Sequence, residues 1–445
     1  MTASTVDSAS LRMTSAAGRA AVKDEARQTA TINLLTIDLV LCVMTQKLAV
    51  IADIEVPLLV HLCFVAFMML RGMYEISIPR LLLFSAFAIW ALICHAFFST
   101  QPFSLNSLLL VLGIYFLYVL MAPLDRAHYV KFMNRFVVLA TIATGLCFSD
   151  WILQVVGLGK PNLELFVPSQ FLFQAYDYHA PLVWGQPLIR PNGFFFLERS
   201  HLAQFIAMGI IAEIIYRRRL WLIALMLAGV FSTVSGTGTI LLALTAPFLL
   251  YRLNWRILAG LAAAGVIAIA VMPLAGIGGG PLDMLMGRTE EFGSQGTSGY
   301  NRFVLPAKRL AEAWSNPQTV LTGDGAGTMP KNTGIADSGA GLAWPPYAKL
   351  GEEYGIIGLA LWTVFFCFCV FNRGIPAALC WIVFLQLHLS GGTLAVPIHS
   401  LYCLILVVNL RITDLEPEEK RGAFRRPRVR GPTRVAAAPD APASA

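Results

Sequence analysis

Charged residues are scarce in this sequence of 445 residues. Only 13% are Asp, Glu, Lys or Arg, against 57% hydrophobic residues, and the mean hydropathy is +0.66. Soluble globular domains are about 25% charged, so this composition excludes a soluble domain and indicates a polytopic membrane protein. The apolar runs do not alternate apolar and polar residues with a period of two, which argues against a membrane β-barrel.

The sequence also lacks the motifs of cofactor-dependent chemistry. Its eight cysteines lie in apolar runs without CxxC spacing, so neither a metal-ligand nor a disulfide framework is predicted. Residues 323–327 (GDGAG) are not followed by the Lys-Ser/Thr pair of a P-loop. They are interpreted as a tight turn whose N–H groups could face an anion. No polar loop holds an Asp-x-Asp pair, so we predict neither a metal nor a cofactor.

Long apolar runs predict about twelve transmembrane helices, since a helix needs about 20 apolar residues to cross the hydrocarbon core. The runs are 31–50, 56–70, 81–98, 105–122, 136–156, 201–216, 220–235, 237–251, 257–274, 353–371, 375–390 and 396–410. The predicted fold class is therefore an all-α polytopic membrane protein. A large polar loop separates the ninth helix from the tenth.

Lys and Arg in the short loops set the predicted orientation. They fall at 71 and 80, 126–135, 217–219, 252–256 and 373, all on one face. By the positive-inside rule this face is cytoplasmic, and so are both termini. Residues 1–30 and 411–445 are predicted to be disordered tails around a membrane domain of residues 31–410. The basic second tail follows directly on a span, so it indicates an anchor near anionic lipid and not a nucleic-acid partner.

Two polar segments, 157–200 and 275–350, then face outward. The first contains Arg190, and the second contains Arg288, Arg302 and Arg309. Guanidinium groups bind phosphate through two parallel hydrogen bonds. These segments therefore predict a site for an anionic, phosphorylated substrate at the membrane surface.

Residues 301–314 predict a short helix lying on the membrane. Its apolar residues at helical spacing are Phe303, Ala307, Leu310 and Trp314. Arg302 and Arg309 share another face, turned toward the lipid headgroups, and Pro306 falls in the first turn, where proline is tolerated. An interfacial helix with merely solvated charges fits the same pattern.

Four short segments follow one another in a recognisable order. They are 190–203 (RPNGFFFLERSHLA), 232–238 (STVSGTG), 298–302 (SGYNR) leading to 321–325 (LTGDG), and Tyr347 followed by 353–358 (EYGIIG). With the span count and the large outward loop, this order resembles the bacterial superfamily of O-antigen ligases and Wzy-type polysaccharide polymerases. The resemblance covers residues 185–410.

The resemblance implies a GT-C-like helical fold and a metal-independent glycosyltransferase. Its donor and acceptor would be oligosaccharide repeat units on undecaprenyl diphosphate, joined at the periplasmic face of the bacterial inner membrane. Arg190 and Arg302 would hold the diphosphate and stabilise its negative charge as it leaves. Arg288, Arg309 and His201 would bind substrate. A chain-length regulator and export machinery are the implied protein partners.

A base must also activate the acceptor hydroxyl. Ligases of the superfamily have a His just before the Tyr that enters the next span, whereas here residues 344–346 (WPP) precede Tyr347. This departure favours a polymerase over a ligase. Glu198 is predicted as the catalytic base, although a structural pairing of Glu198 with a nearby arginine stays open. The alternative bases are His201, His399 and Glu353, and His179 and His388 also fall near the outer face.

A ligase or a flippase for lipid-linked oligosaccharides would also have about twelve spans. A transporter usually places charges along a central cavity and has halves related as repeats. Few charges lie within these spans, and no such repeat is evident. Asp38 is interpreted as a helix-packing residue, and Glu213 is predicted to pair with Arg217, four residues on. The predicted function is polymerisation of repeat units in exopolysaccharide or O-antigen synthesis.

Overall fold

The computed structural model describes most of the predicted membrane domain. The described residues are 5–50, 55–99, 104–160, 166–173, 188–249, 299–328, 344–389 and 400–414, with 163, 181, 293, 294 and 297. Side chains are described from residue 21 onward, except those of residues 302 and 389. The predicted span 257–274 and residues 415–445 lie outside the described part.

Helices make up nearly all of the regular structure described. They are α1 (Thr5–Met44), α2 (Val56–Leu70), α3 (Ile78–Ile93), α4 (Leu105–Phe116), α5 (Arg126–Val155), α6 (Arg199–Tyr216), α7 (Leu220–Ser232), α8 (Gly236–Leu249), α9 (Leu305–Trp314), α10 (Pro346–Val370), α11 (Ala377–Leu389) and α12 (Leu401–Cys403). Wider π-type turns lie at Cys94–Phe98, Tyr300–Val304 and Leu404–Val408. The strands are β1 (Glu75–Ile76), β2 (Leu120–Leu124) and β3 (Leu410–Ile412).

Four helices in the described part are long and apolar enough to cross a membrane. They are Ala21–Met44, Ile78–Phe98, Arg126–Val155 and Pro346–Val370. Shorter apolar helices occur at Val56–Leu70, Leu105–Val119, Leu220–Ser232, Gly236–Leu249 and Ala377–His388. A mainly helical membrane protein is thus confirmed, while the number of twelve spans stays a prediction.

Helix α1 begins well before the predicted membrane domain. The sequence predicts residues 1–30 as a disordered tail, but α1 starts at Thr5. Residues 5–30 contain no Pro, a single Gly, seven Ala and three Arg, a composition that favours helix. Gln28 Oε1 accepts from the N–H of Asp125 at 2.8 Å, so the segment is also fastened to the start of α5.

A small three-stranded sheet accompanies the helices at one end of the bundle. Strand β1 pairs antiparallel with β2, and β2 pairs parallel with β3. The predicted spans 105–122 and 396–410 therefore end in strands rather than in helix. Carbonyl groups at a helix end lack intrahelical partners, and pairing between these extended segments satisfies part of that need. We call this end of the helix bundle the sheet end and the opposite end the loop end.

Arg80 joins three chain segments at the sheet end. Its side chain is buried and donates to the carbonyl oxygens of Val408 at 2.7 Å and of Tyr118 and Cys369 at 3.0 Å. Carbonyls near helix ends concentrate partial negative charge. A buried guanidinium with three such acceptors therefore stabilises the junction of α4, α10 and the turn after α12.

Helix α6 forms the centre of the bundle. Every residue from Ser200 to Ile215 is buried, and α6 packs against α5, α7, α8 and α11. Gly209 allows the close approach of α5, because a Cβ there would lie only 2.4 Å from the Cβ of Ala140. A helix surrounded on all sides must be apolar on all sides, so the few polar residues of α6 stand out as candidates for function.

Both predicted polar segments lie at the loop end. Helix α5 starts beside β2 and ends at the loop end, where Gln154 contacts Ile189. Helix α10 ends near Arg80 at the sheet end, so its first turns lie at the loop end, where Glu352 contacts Asp324. The described parts of 157–200 and 275–350 therefore share one end of the bundle, as the sequence predicts.

Candidate functional site

The segment that contains Arg190 is fastened to the end of α5. Gln154 accepts from the N–H of Ile189 at 2.7 Å and donates to the carbonyl of Ile189 at 3.1 Å. Lys160 Nζ donates to the carbonyl of Arg190 at 2.9 Å. The Nε of Arg190 donates to the carbonyl of Pro181 at 2.9 Å, which fixes the direction of the guanidinium plane.

Asp150 holds the residues that follow Arg190. Its carboxylate is buried, and Oδ2 accepts from the N–H groups of Asn192 and Gly193, each at 3.0 Å. Gly193 has φ +62°, in the left-handed region that favours glycine, and a Cβ there would lie 3.3 Å from Cδ2 of Leu202. Asp150 lies near the end of the predicted span 136–156, but a backbone partner 42 residues away in the sequence leaves no local signal.

Glu198 and His201 begin α6 directly after this segment. Glu198 occupies the N-cap position, but its side chain accepts from Ser200 Oγ at 2.8 Å instead of capping the helix. His201 is buried in the first helical turn. The predicted residues Arg190, Glu198 and His201 thus lie in one continuous stretch of the chain at the loop end.

A buried glutamine pair links α6 to α11 one turn farther on. Gln386 Nε2 donates to Gln204 Oε1 at 3.2 Å and to the hydroxyl of Tyr402. All three side chains are buried. Sequence reasoning missed this layer, although a glutamine inside an apolar span is a signal that could have found it.

His388 lies near the end of α11 in a cluster of aromatic rings. Its ring centroid is 5.0 Å from that of Phe384 and 5.5 Å from those of Trp362 and Tyr347. Its Nδ1 is buried without a hydrogen-bond partner among the residues described. Because α11 approaches α6 through Gln386, His388 lies at the same end as His201. His179 and His399 lie outside the described residues.

Residues 323–327 pack backbone against backbone on α10. The N–H groups of Asp324 and Gly325 donate to the carbonyls of Glu352 and Glu353, each at 3.0 Å, and that of Gly323 donates to Thr319. A Cβ on Gly323 would lie 2.4 Å from the carbonyl carbon of Glu353. The predicted tight turn is confirmed. The interpretation of these three N–H groups as an anion site is wrong, because protein carbonyls already occupy them.

Glu353 is enclosed by the same contact. Its side chain is fully buried, and Oε1 accepts from Lys349 Nζ one turn earlier on α10. A carboxylate held in an ion pair and shielded from solvent is poorly placed to take a proton from a sugar hydroxyl. The geometry therefore favours a structural role for Glu353.

Helix α9 confirms the predicted short helix, with Pro306 in its first turn. Its apolar face packs on α10. Trp314 Nε1 donates to the carbonyl of Gly351 at 3.2 Å, and Leu310 lies so close that a Cβ on Gly351 would be 2.7 Å from it. The hydrophobic spacing was interpreted correctly, but sequence alone does not say which apolar surface covers it.

The arginines of the second segment are only partly described. Arg309 Nη1 lies 2.9 Å from Glu312 Oε2 in an ion pair at the surface. The backbone of Arg302 lies in the turn Tyr300–Val304, while its side chain and the whole of Arg288 lie outside the described part. Whether these two join Arg190 stays a prediction.

Asp38, Cys42 and His61 form a buried cluster between α1 and α2. Asp38 Oδ2 lies 2.8 Å from His61 Nδ1, and Cys42 Sγ donates to Asp38 Oδ1 at 3.3 Å. Residue types and distances of this kind could hold a metal ion. Hydrogen bonds within the cluster already occupy both carboxylate oxygens, which accords with a helix-packing role for Asp38.

Comparison with known proteins identifies the family. Residues 31–327, more than half of the chain, match the WcaD colanic acid polymerase family. No match to a curated protein or to a solved structure was found. The matched range contains the Arg190 segment, Glu198, His201 and the turn at 323–327. It confirms the resemblance to Wzy-type polymerases, and the chain thus belongs to the WcaD colanic acid polymerase family and is a polysaccharide repeat-unit polymerase.

Proposed function

We propose that this polymerase joins oligosaccharide repeat units carried on undecaprenyl diphosphate, and that it does so at the loop end of the bundle. A hydroxyl oxygen of the acceptor unit attacks the anomeric carbon of the donor glycan. The bond from that carbon to the diphosphate oxygen breaks, undecaprenyl diphosphate leaves, and a protein base takes the hydroxyl proton. The observation that best supports this proposal is the Arg190 segment, held rigidly beside the first turn of α6.

Arginine chemistry suits this leaving group. Negative charge develops on the diphosphate as the glycosidic bond breaks, and fixed guanidinium groups stabilise it without a proton transfer. Nε of Arg190 is already bonded to a backbone carbonyl, so the diphosphate would bind its terminal nitrogens. Arg302 is the second diphosphate ligand in this proposal, with Arg288 and Arg309 as helpers. The reaction is proposed to need no metal.

Glu198 remains the proposed base. It follows the Arg190 segment directly and occupies the N-cap position of α6. The hydrogen bond from Ser200 orients the carboxylate. His201, in the next turn, is the alternative base and otherwise a substrate ligand. His388 reaches the same end from α11.

The sheet end is proposed to be cytoplasmic, which places the loop end in the periplasm. Basic residues at the sheet end include Arg80, Arg126, Arg217, Arg219, Arg373 and Arg411. Glu213 binds Arg219 through both carboxylate oxygens, at 3.0 and 2.8 Å, and this hydrogen bonding raises the pKa of Arg219. We also propose that the protein has twelve spans in a GT-C-like arrangement. Both termini lie in the cytoplasm, and the protein is located in the inner membrane.

A cell that lacks the protein tests this function. Cytoplasmic transferases and a separate flippase would still make and export single repeat units. We expect lipid-linked single units to accumulate on the periplasmic side while high-mass polymer disappears. Accumulation on the cytoplasmic face would support a flippase instead, and normal polymer retained on its lipid carrier would support a ligase. A chain-length regulator and export machinery are the proposed partners.

A further inference from the structure

We infer that Asp150 and Gln154, one turn apart at the end of α5, position Arg190 for the diphosphate. This inference rests on the proposed role of Arg190. Neither side chain contacts the substrate in this account. Both act on the backbone that presents the guanidinium.

The two side chains hold the backbone on either side of Arg190. Gln154 binds both the N–H and the carbonyl of Ile189, immediately before it. Asp150 binds the N–H groups of Asn192 and Gly193, just after it. Arg190 and Pro191 lie between these two anchors. The ring of Pro191 fixes its own φ angle, and it favours an extended backbone at Arg190. The backbone of Arg190 is thus fixed from α5, a rigid helix of 30 residues.

Burying the side chain of Asp150 costs free energy, which a contact at the protein surface does not. A buried carboxylate needs donors or opposite charges around it. Oδ2 accepts hydrogen bonds from two backbone N–H groups. Oδ1 has no hydrogen-bond partner among the described residues. The benefit of this buried side chain that is visible in the structure is the fixed conformation of the Arg190 segment.

Two substitutions of Asp150 separate positioning from bulk stability. Asp150→Ala leaves the N–H groups of Asn192 and Gly193 buried without their acceptor. Misplacement of a catalytic group by about 1 Å can lower the rate about 100-fold, and we expect a loss of that order. Asp150→Asn keeps one oxygen that can accept both N–H groups, so it should restore most of the activity. Ser149→Ala is the matched control, since Ser149 lies on the exposed side of α5 and donates to Gly145.

The test is a double-mutant cycle with purified full-length protein and lipid-diphosphate-linked repeat units. Initial rates of chain lengthening and the Tm are measured for Asp150→Ala, Arg190→Ala and the double variant. We expect each single variant to lose about 100-fold in rate. The double variant should match Arg190→Ala within about twofold, because Asp150 has nothing left to position.

Independent losses that multiply in the double variant would overturn the inference. So would an Asp150→Asn variant as inactive as Asp150→Ala at an unchanged Tm. If Arg190→Ala kept the wild-type rate, the proposed role of Arg190 would fail first, and that result is visible in the single variant alone. Should Asp150→Ala not fold, Gln154→Ala enters the same cycle, since it releases Ile189 without unpairing a buried charge.

Discussion

Gly355 in α10 lies directly against the backbone of Leu321. A Cβ on residue 355 would be 2.3 Å from the carbonyl carbon of Leu321. Gly355 has φ +68° and ψ −174°, which interrupts the helix, and the N–H of Ile356 donates to the carbonyl of Val320 at 2.9 Å. The kink in α10 and the turn at 321–325 are therefore one structural unit at the loop end.

Replacing Gly355 by Ala should destabilise this unit. This φ/ψ combination is almost restricted to glycine and costs another residue roughly 1–3 kcal/mol, and forcing a methyl group against backbone adds about 1–3 kcal/mol. We expect a clearly lower Tm in detergent. Gly145→Ala is the control, because a Cβ on Gly145 meets no atom within 4 Å. Equal Tm values for the two variants would contradict the packing described.

Arg80→Lys should also lower the Tm. A lysine ammonium lacks the planar fork that reaches Tyr118, Val408 and Cys369 together. Hydrogen bonds made by charged groups contribute about 1.5–3 kcal/mol each, so losing one of the three should be measurable. Arg411→Lys is the control, since Arg411 pairs with Glu75 at the surface, where such pairs contribute little. An unchanged Tm for Arg80→Lys would show that the three carbonyl groups do not need the planar guanidinium group.

The start of α5 should depend on the ionisation of Asp125. Burial raises the pKa of Asp125, but hydrogen bonds from the backbone and ring of His128 outweigh it and hold the pKa below its usual value. Its stabilising effect is therefore present above the unfolded pKa of about 3.9 and is lost as the pH falls through the folded pKa. We expect Asp125→Ala to cost about 1 kcal/mol at neutral pH. The Tm difference from wild type should shrink below about pH 4, and a difference independent of pH would refute this role.

Arg302→Lys should abolish polymer more severely than Arg309→Lys. Lysine keeps the charge but loses the two parallel donors that bind a diphosphate oxygen pair. Arg309 already pairs with Glu312 at the surface, so its replacement should be mild. Polymer length is compared at equal protein level in the membrane. Equal tolerance of both changes would mean that these arginines only contact lipid headgroups.

Local hydrophobic patterns made the helices predictable, because lipid imposes the same length and polarity on each span. Side-chain pairs at chain turns could not be predicted from sequence spacing. Glu213 was predicted to pair with Arg217, but α6 ends at Tyr216 and Arg218 adopts φ +61°. This turn brings Arg219 onto Glu213 instead, while Arg217 binds Asn134.

The candidate site could be proposed from sequence only where it is continuous along the chain. Arg190 was proposed from its polar segment, and Glu198 and His201 were proposed from the family resemblance of the same segment. The supports of that segment could not, since Asp150 and Gln154 reach it across a long loop. The early start of α10 was missed for a related reason. Its first turns are polar, and they are buried because the turn at 323–327 and helix α9 pack against them.

Repeat-unit polymerisation is tested with purified protein supplied with undecaprenyl-diphosphate-linked repeat units. The reaction contains no nucleotide sugar and includes a metal chelator. We expect the units to lengthen and one undecaprenyl diphosphate to be released for each linkage formed. Lengthening that requires nucleotide sugar or stops with chelator, or no lengthening by an intact protein, would contradict it.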